Sequence, residues 1–181
     1  MHERSRSHII ALLGADLDIA LRHNADVLGE IRPNLRRHIS VCLTPCMLVS
    51  ALHRLAHATW SRSLYGLAWF FARLNLLLNR IDIHPACRID GGMYIPHPAG
   101  VMLRAHAGRN LVLLAGAGVC DNCHSAPADW PVIGDDVWIA AGARVTGKLS
   151  VGDRARVGPG AILTDDLESE TVALAPNEAV E

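Results

Sequence analysis

The sequence lacks an excess of charge of either sign. Its 181 residues include 17 Lys and Arg against 18 Asp and Glu, so the formal net charge at pH 7 is −1. A nucleic-acid-binding surface needs clustered positive charge, and this balance gives no electrostatic reason to expect a nucleic acid as partner. Half of the residues are hydrophobic, which is enough for a sizeable core in one domain or two small ones.

Long apolar runs are also missing. The charged start, Met1 to Arg6, does not have the apolar segment of a signal peptide. The most apolar stretch, Leu64 to Leu78, is interrupted by Arg73 and Asn75 and is shorter than the ~20 residues of a spanning helix. We therefore expect a soluble, cytoplasmic protein with no membrane partner. Its five cysteines are then expected to be thiols rather than disulfides.

Residues 1–79 have the period of α-helices. The first helix is indicated by apolar residues at steps of three and four, namely Ile9, Leu12, Leu13, Leu17 and Leu21. A second helix is predicted from Asp26 to Ile31, resuming after Pro33, and a third begins near Met47. We interpret the aromatic residues between Trp60 and Leu78 as core packing rather than as a membrane-surface helix.

From residue 80 the period becomes six. Aliphatic residues recur at this step in two series: Ile83, Ile89, Ile95, Val101, Ala107, Leu113 and Val119, then Ile133, Ile139, Val145, Val151, Val157 and Leu163. Neither a helix nor an alternating strand has this period, whereas a hexapeptide repeat is typical of a parallel β-helix. The sequence therefore predicts a mainly β protein with an α-helical N-terminal region: a β-helix over residues 80–168 and a tail over 169–181.

The two series are out of phase with each other. Val119 and Ile133 are fourteen residues apart, two more than two hexapeptides. A loop is therefore predicted to leave the β-helix near Cys120 to Trp130. Insertions in solenoids often carry function.

Two segments narrow the choice among the protein families that contain hexapeptide repeats. They are Asp82-Ile83-His84-Pro85 and, after Gly91-Gly92, the segment His97-Pro98-Ala99-Gly100. Together with the later run from Ile133 to Val145, they resemble the active-site coils of the serine acetyltransferases over roughly residues 65–165. The resemblance implies a left-handed parallel β-helix. It also implies an O-acyltransferase with acetyl-CoA, or another acyl-CoA, as co-substrate and no metal.

The same resemblance assigns catalytic roles. An alcohol is a poor nucleophile at neutral pH, so a base must take its proton as it attacks the thioester. By the family motif, His97 is that base and Asp82 is the carboxylate that orients it, while His84 is expected to be structural. Asp82 and His97 are fifteen residues apart, slightly less than one eighteen-residue coil, so they can face each other across adjacent coils.

Three acceptor-site positions depart from the family pattern. Pro96 stands where the family has an aspartate, and Asp129-Trp130 stands where it has Arg-His. Asp129 is expected to repel an acceptor carboxylate, and Trp130 to offer it a broad apolar face. Free serine is therefore predicted to bind poorly or in an altered way, unless Arg104, His106 or a neighbouring subunit replaces the lost groups.

The co-substrate site is also assigned by resemblance. The family places the pantetheine arm against backbone amides that match Ala141, Gly142 and Gly160, where small side chains allow close approach. Arg156 matches a basic position near the nucleotide end and could meet a phosphate. The tail Leu174 to Glu178 departs from the closing segment of the family.

The predicted loop contains a Cys-x-x-Cys-His motif formed by Cys120, Cys123 and His124. It fits the pattern of covalent haem attachment and could supply three zinc ligands. We expect neither, because haem attachment requires export and a fourth zinc ligand would have to come from a neighbour or from water. His124 could instead replace the second histidine of the family.

The resemblance implies a homotrimer with active sites between subunits. The helical region is short for the pairing of trimers into hexamers, and the C-terminus lacks the terminal isoleucine by which the family docks on the cysteine-forming sulfhydrylase. Three functions remain open. The leading hypothesis is acetyl transfer to serine or a serine-like small alcohol. The alternatives are acyl transfer to a sugar or specialised-metabolite hydroxyl, with a carrier-bound donor as an option, and a non-enzymatic hexapeptide scaffold.

Overall fold

The computed structural model describes residues 2–28, 41, 44–120 and 126–175. Its helices are α1 (His2–Leu28), α2 (Pro45–Trp60) and α3 (Tyr65–Asn79). The helical N-terminal region is confirmed. The predicted helix start at Asp26 is wrong, because α1 continues through this position to Leu28; the stretch around Pro33 lies outside the described residues.

Among the helices that the structure describes, none combines the length and the hydropathy that a membrane crossing requires.

Short parallel strands follow the helices. They are β1 (Asp82–Ile83), β2 (Met102–Leu103), β3 (His106–Ala107), β4 (Val112–Leu113), β5 (Gly118–Cys120), β6 (Val132–Ile133), β7 (Trp138–Ile139), β8 (Arg144–Thr146), β9 (Ser150–Val151), β10 (Arg156–Val157), β11 (Ile162–Leu163) and β12 (Val172–Ala173). They form three sheets, which we call face A (β1-β2-β5-β8-β11), face B (β3-β6-β9) and face C (β4-β7-β10-β12). The chain passes from A to B to C in each coil, and coils stack by parallel pairing.

The predicted aliphatic column is confirmed. Its members are at most 8% exposed, and they are Ile83, Ile89, Ile95, Val101, Ala107, Leu113, Val119, Ile133, Ile139, Val145, Val151, Val157 and Leu163. They belong to one continuous core cluster. Burial of each Ile, Leu or Val side chain of the column contributes about 1.5–3 kcal/mol, so the column contributes substantially to the stability of the β-helix.

The register of the first two coils differs from an even step of six. Ile83 pairs with Leu103, twenty residues on, and Leu103 pairs with Val119, sixteen residues on. Two residues are therefore added at the corner Pro96–Gly100, and two fewer lie between β2 and β3. Val101 is buried one position before β2, where its carbonyl accepts a hydrogen bond from the Asp82 amide at 3.0 Å.

The β-helix also continues beyond its predicted end at residue 168. Val172 pairs with Arg156 and Ala173 with Val157, so part of the predicted tail forms another rung of face C. Asn177 and Glu178, which lie after this rung, are outside the described residues.

A buried ion pair attaches the helices to the first coil. Arg54 of α2 donates from Nε and Nη2 to the two carboxylate oxygens of Asp16 in α1, at 3.1 and 3.0 Å. Asp16 Oδ1 also accepts the backbone amides of Gly92 and Met93, at 2.9 and 2.7 Å. Asp16 is 0% exposed and Arg54 4%. A Cβ at Gly91 would lie 2.8 Å from Ala15 Cβ, so glycine is needed for this close approach.

Helix α3 exposes much of its apolar surface in this chain. Leu67, Phe70 and Leu77 are 45%, 57% and 78% exposed, although Ala68 and Ala72 are buried. The prediction that the aromatic residues of this stretch pack in the core is therefore wrong for Tyr65 and Phe70, which are 51% and 57% exposed. The helix buries its small and polar side chains, including Asn75, whose amide donates to the Val49 carbonyl of α2.

Replacement of Asp16 by Ala is expected to lower the free energy of unfolding by about 3–5 kcal/mol, because it leaves the Arg54 guanidinium buried without its counter-charge. Chemical denaturation at fixed protein concentration measures this change. The matched control is Asp135→Ala in the exposed Arg109–Asp135 pair, which should change stability little. Equal losses in the two variants would contradict the role given to Asp16.

His53 is a second buried polar group of α2. It is 2% exposed and neither ring nitrogen has a hydrogen-bond partner in the described structure. Burial, then the positive charge of Arg54 and the neighbouring His57, hold its pKa well below the ordinary value of 6.5. The folded protein therefore keeps His53 neutral at pH values where the unfolded chain protonates it.

This difference predicts a loss of stability as pH falls below 6.5. The unfolded state then binds more protons than the folded state, so each such histidine lowers the free energy of unfolding by about 1.4 kcal/mol per pH unit. Above pH 7 the effect should vanish. His53→Leu should flatten the profile between pH 6.5 and 5, whereas the exposed His8→Leu should not. An unchanged slope in His53→Leu would contradict this assignment.

Candidate active site

Asp82 is the first residue of β1 and points outward on face A. Its neighbour Ile83 enters the core, so the alternation of the strand leaves the carboxylate at the surface, with its side chain 38% exposed. The adjacent coil places Arg104 beside it, with Nη2 of Arg104 3.9 Å from Oδ2 of Asp82. A carboxylate and a guanidinium therefore share this part of face A.

His97 lies in the enlarged corner Pro96–Gly100, which joins face C to face A. Its side chain is exposed, and Pro96 is partly buried. The corner ends directly against the start of face A, where the Gly100 amide donates to the Arg80 carbonyl at 3.0 Å. The structure thus brings His97 and Asp82 to the same edge in adjacent coils. Within the described part of this chain, no hydrogen bond or ion pair joins them.

His84 is enclosed by tryptophans. The rings of Trp60, Trp69 and Trp130 meet it edge-on, with centroids 5.3, 5.0 and 5.0 Å away. Its Nδ1 accepts the Ala86 amide at 3.1 Å, so in the neutral ring Nε2 carries the proton. Burial and then the Arg104 charge lower its pKa, against the opposing effect of Asp82. This packing supports a structural role.

Trp130 occupies a different place from the one that the sequence predicted. It is 4% exposed and belongs to the main core cluster, so it offers almost no apolar face to an acceptor. Its ring packs on His84 and, at 5.7 Å between centroids, on His106. The indole therefore fills space in the core beside His84 and His106.

Asp129 is paired. It ends the 3₁₀ turn Pro127–Asp129, and its Oδ1 accepts a hydrogen bond from Lys148 Nζ at 2.8 Å. Both side chains are exposed, so the pair is screened by solvent. Lys148 nevertheless reduces the repulsion that Asp129 alone would exert on an acceptor carboxylate. This pairing joins residues nineteen positions apart, and no local sequence pattern predicts it.

A cavity of about 600 Å³ lies between the end of α2 and the loop, lined among others by His57, Trp60, Arg88 and His106. The Arg88 amide donates to His106 Nδ1 at 3.3 Å, and His106 Nε2 therefore donates to the Pro127 carbonyl at 3.1 Å. His106 thus ties the loop to the first coil. Sequence reasoning missed His57 and Arg88, because neither belongs to a motif.

The residues assigned to the co-substrate lie mostly on the edge that carries His97. Gly142 and Gly160 have φ of +69° and +67°, and the Gly160 amide donates to the Ala141 carbonyl at 3.0 Å. A Cβ at either glycine would meet nothing within 4 Å, so this edge is open in the single chain. Arg156 lies apart from them on face C, with its guanidinium 5.9 Å from the Trp138 ring centroid.

The Cys-x-x-Cys-His motif is only partly described. Cys120 ends β5 and is buried, while Cys123 and His124 lie outside the described residues. Among the residues that the structure places, no group of three or more His, Cys, Asp or Glu side chains could hold a metal ion. The expectation that this motif binds neither haem nor zinc stays a prediction.

Removal of the Trp130 ring is expected to act on stability first. Trp130→Ala should lower the free energy of unfolding by about 3–5 kcal/mol through the cavity that it leaves beside His84, and Trp130→Phe should lose less. Chemical denaturation of the two variants measures the effect. A Trp130→Ala protein of unchanged stability, altered only in acceptor binding, would restore the acceptor-site role.

Comparisons with known proteins agree with this geometry. The family model "Bacterial transferase hexapeptide (six repeats)" matches residues 131–165. A serine acetyltransferase of Bacillus pumilus is 31% identical over 164 residues, which cover 88% of this chain and 76% of the relative. One of Helicobacter pylori is 31% identical over 124 residues, 67% of this chain and 72% of the relative.

The structural comparison points the same way. Soybean serine acetyltransferase, solved in complex with serine, superposes with a TM-score of 0.81 at 28% identity. The match covers 94% of this chain and 68% of the soybean chain. Fold, repeat and sequence identity over most of both chains agree, and this protein therefore belongs to the serine acetyltransferase family of hexapeptide-repeat acyltransferases.

Proposed function

We propose that this protein transfers an acetyl group from acetyl-CoA to the hydroxyl of serine or a serine-like small alcohol. The observation that carries the proposal is that Asp82 and the enlarged corner, which contains His97, lie at the same edge of the β-helix. The corner is two residues longer than an even step of six and is where the family motif has its base. Sequence identity to serine acetyltransferases supports the acceptor class.

The proposed reaction has one proton acceptor. His97 takes the hydroxyl proton as the hydroxyl oxygen forms a bond to the thioester carbonyl carbon. Collapse of the tetrahedral intermediate breaks the carbon–sulfur bond, and the imidazolium returns its proton to the CoA thiolate. Asp82 orients the ring and stabilises the imidazolium. Such hydrogen bonds often tighten only in the substrate complex, so the open geometry of the single chain is compatible with this role.

The open edge supports the co-substrate assignment. Gly142 and Gly160 leave open space at their corners for a pantetheine arm, and the side chain of Ala141 beside them is small. Arg156 would bind a phosphate at the nucleotide end of acetyl-CoA. The exposure of His97 and of this edge fits a homotrimer in which a neighbouring subunit closes the site. We also propose that the β-helix is left-handed, that the protein is a homotrimer and that it is cytoplasmic.

A second acceptor class is favoured by one observation. Pro96 and Asp129 lack the charges that hold free serine in the family, which favours a different hydroxyl, on a sugar or a specialised metabolite. The Lys148–Asp129 pair weakens this argument, since it offsets the misplaced negative charge. Thiol release measured with serine and with a panel of other alcohols decides between the two classes.

Substitution of the base gives the sharpest test of the mechanism. His97→Ala should lower the rate of thiol release from acetyl-CoA by about 10²–10⁴-fold without loss of the fold, because its side chain is exposed. Asp82→Asn should lower the rate less, since the base remains but is poorly oriented. His8→Ala, which removes an exposed histidine of α1, should retain full activity. Turnover of His97→Ala near that of the unmodified protein would exclude the mechanism.

A further inference from the structure

The cavity between the end of α2 and the loop takes no part in the proposed acetyl transfer. Its volume of about 600 Å³ lies within the range of ~300–1,000 Å³ that is usual for small-molecule sites. Ala86 and Arg88 place it at the turn from face A to face B, whereas His97 lies at the corner from face C to face A. The cavity is therefore a second candidate site, on another corner of the β-helix.

Arg88 gives this cavity a positive charge. None of the described residues that line the cavity is an Asp or a Glu. The Arg88 side chain is exposed, and its guanidinium forms no hydrogen bond or ion pair with a residue that the structure describes. Asp129, which follows the lining residue Ala128, is paired with Lys148 at 2.8 Å. The planar fork of the guanidinium is therefore available to a ligand carboxylate.

His57 offers the cavity a hydrogen-bond acceptor. A carbonyl oxygen only accepts, so Nδ1 of His57 donates to the Pro85 carbonyl at 3.0 Å. Burial lowers the pKa of His57 below 6.5; the Pro85 hydrogen bond opposes this shift, and the charges of Arg54 and Arg88 add to it. The ring is therefore neutral at pH 7, and Nε2 carries a lone pair. A ligand in contact with this atom needs a donor, such as a hydroxyl group.

Two aromatic rings form a wall of the cavity. Trp60 and Tyr65 both line it and meet edge-on, with their centroids 4.8 Å apart. Tyr65 is 51% exposed, so its ring has surface left for a further contact. Flat aromatic ligands pack well on such rings, in edge-to-face or offset-stacked contacts.

We propose that this cavity binds a small aromatic carboxylate that carries a hydroxyl group. The carboxylate lies on Arg88, and the hydroxyl donates to Nε2 of His57. The aromatic ring of the ligand packs against Trp60 and Tyr65. Trp60 also meets the His84 ring edge-on at 5.3 Å, so this cavity shares a wall with the candidate active site. The site needs no step of acetyl transfer, and its occupation is measured as binding alone.

Isothermal titration calorimetry with the ortho, meta and para isomers of hydroxybenzoate tests the proposal on the full chain. The isomers set the hydroxyl at different distances from the carboxylate, and at least one should bind the unmodified protein with a Kd below about 1 mM. Arg88→Met should raise that Kd about 10- to 100-fold, the effect of losing a charge-assisted hydrogen bond, and Arg88→Lys should recover part of the affinity. Arg109→Met, which removes an exposed arginine from its pair with Asp135, should bind as the unmodified protein does.

The role of the hydroxyl is tested with benzoate, which lacks it. Benzoate should bind the unmodified protein about 3- to 10-fold more weakly than the best hydroxybenzoate, and His57→Phe should abolish this difference. A thermal unfolding profile shared with the unmodified protein shows that each variant is folded. If His57→Phe does not fold, the ratio of the two affinities in the unmodified protein decides the point, and equal affinities would contradict the contact with His57.

The outcomes also separate this site from the candidate active site. His97→Ala should bind the same isomer with an unchanged Kd, because His97 lies at another corner of the β-helix. Loss of binding in His97→Ala, or a Kd that Arg88→Met leaves unchanged, would overturn the proposal. So would a lack of saturable binding by all three isomers. A protein that transfers no acetyl group but binds an isomer through Arg88 would still confirm it.

Discussion

The buried pair of Asp16 and Arg54 fixes the geometry on which the rest of the molecule depends. A single carboxylate receives the guanidinium and two amides of the first coil, while Arg54 also donates to the carbonyls of Ile89 and Asp90. Charges removed from water are costly unless fully hydrogen-bonded, and here α1, α2 and the first coil are all needed to satisfy them. The pair therefore holds the helices on the coil that bears the His97 corner.

The proposed chemistry is concentrated where the repeat is irregular. Later coils pass from face C to face A through short corners with left-handed glycines, such as Gly116, Gly142 and Gly160. The first of these corners has two extra residues and carries His97, and the following turn into face B is correspondingly shorter. A regular coil keeps every polar side chain at a fixed place on the surface. A longer corner can reach outward over the neighbouring strand, towards Asp82.

The packing of tryptophans around His84 affects which side chains of the site carry charge. His84 is kept neutral within a wall of indoles, beside the Asp82 carboxylate and the Arg104 guanidinium. Trp130 completes that wall instead of contacting an acceptor. The loop that carries Trp130 is held by His106 and Lys148, so substitutions in the loop act on the site through packing and through the charge of Asp129.

The sequence by itself determined the β-helix, its aliphatic column and the family motif around Asp82 and His97. These features are local: a buried aliphatic residue every six positions is the condition for each short strand to face the core, and the motif residues are close in the chain. The tertiary structure decided the register, the burial of Trp130, the exposure of α3 and the pairing of Arg54, Asp129 and Arg104. A coil of twenty residues followed by one of sixteen has the same total as two regular coils. The six-residue period of the sequence therefore does not reveal this two-residue shift in register. Only the strand pairing between coils shows which side chains become neighbours.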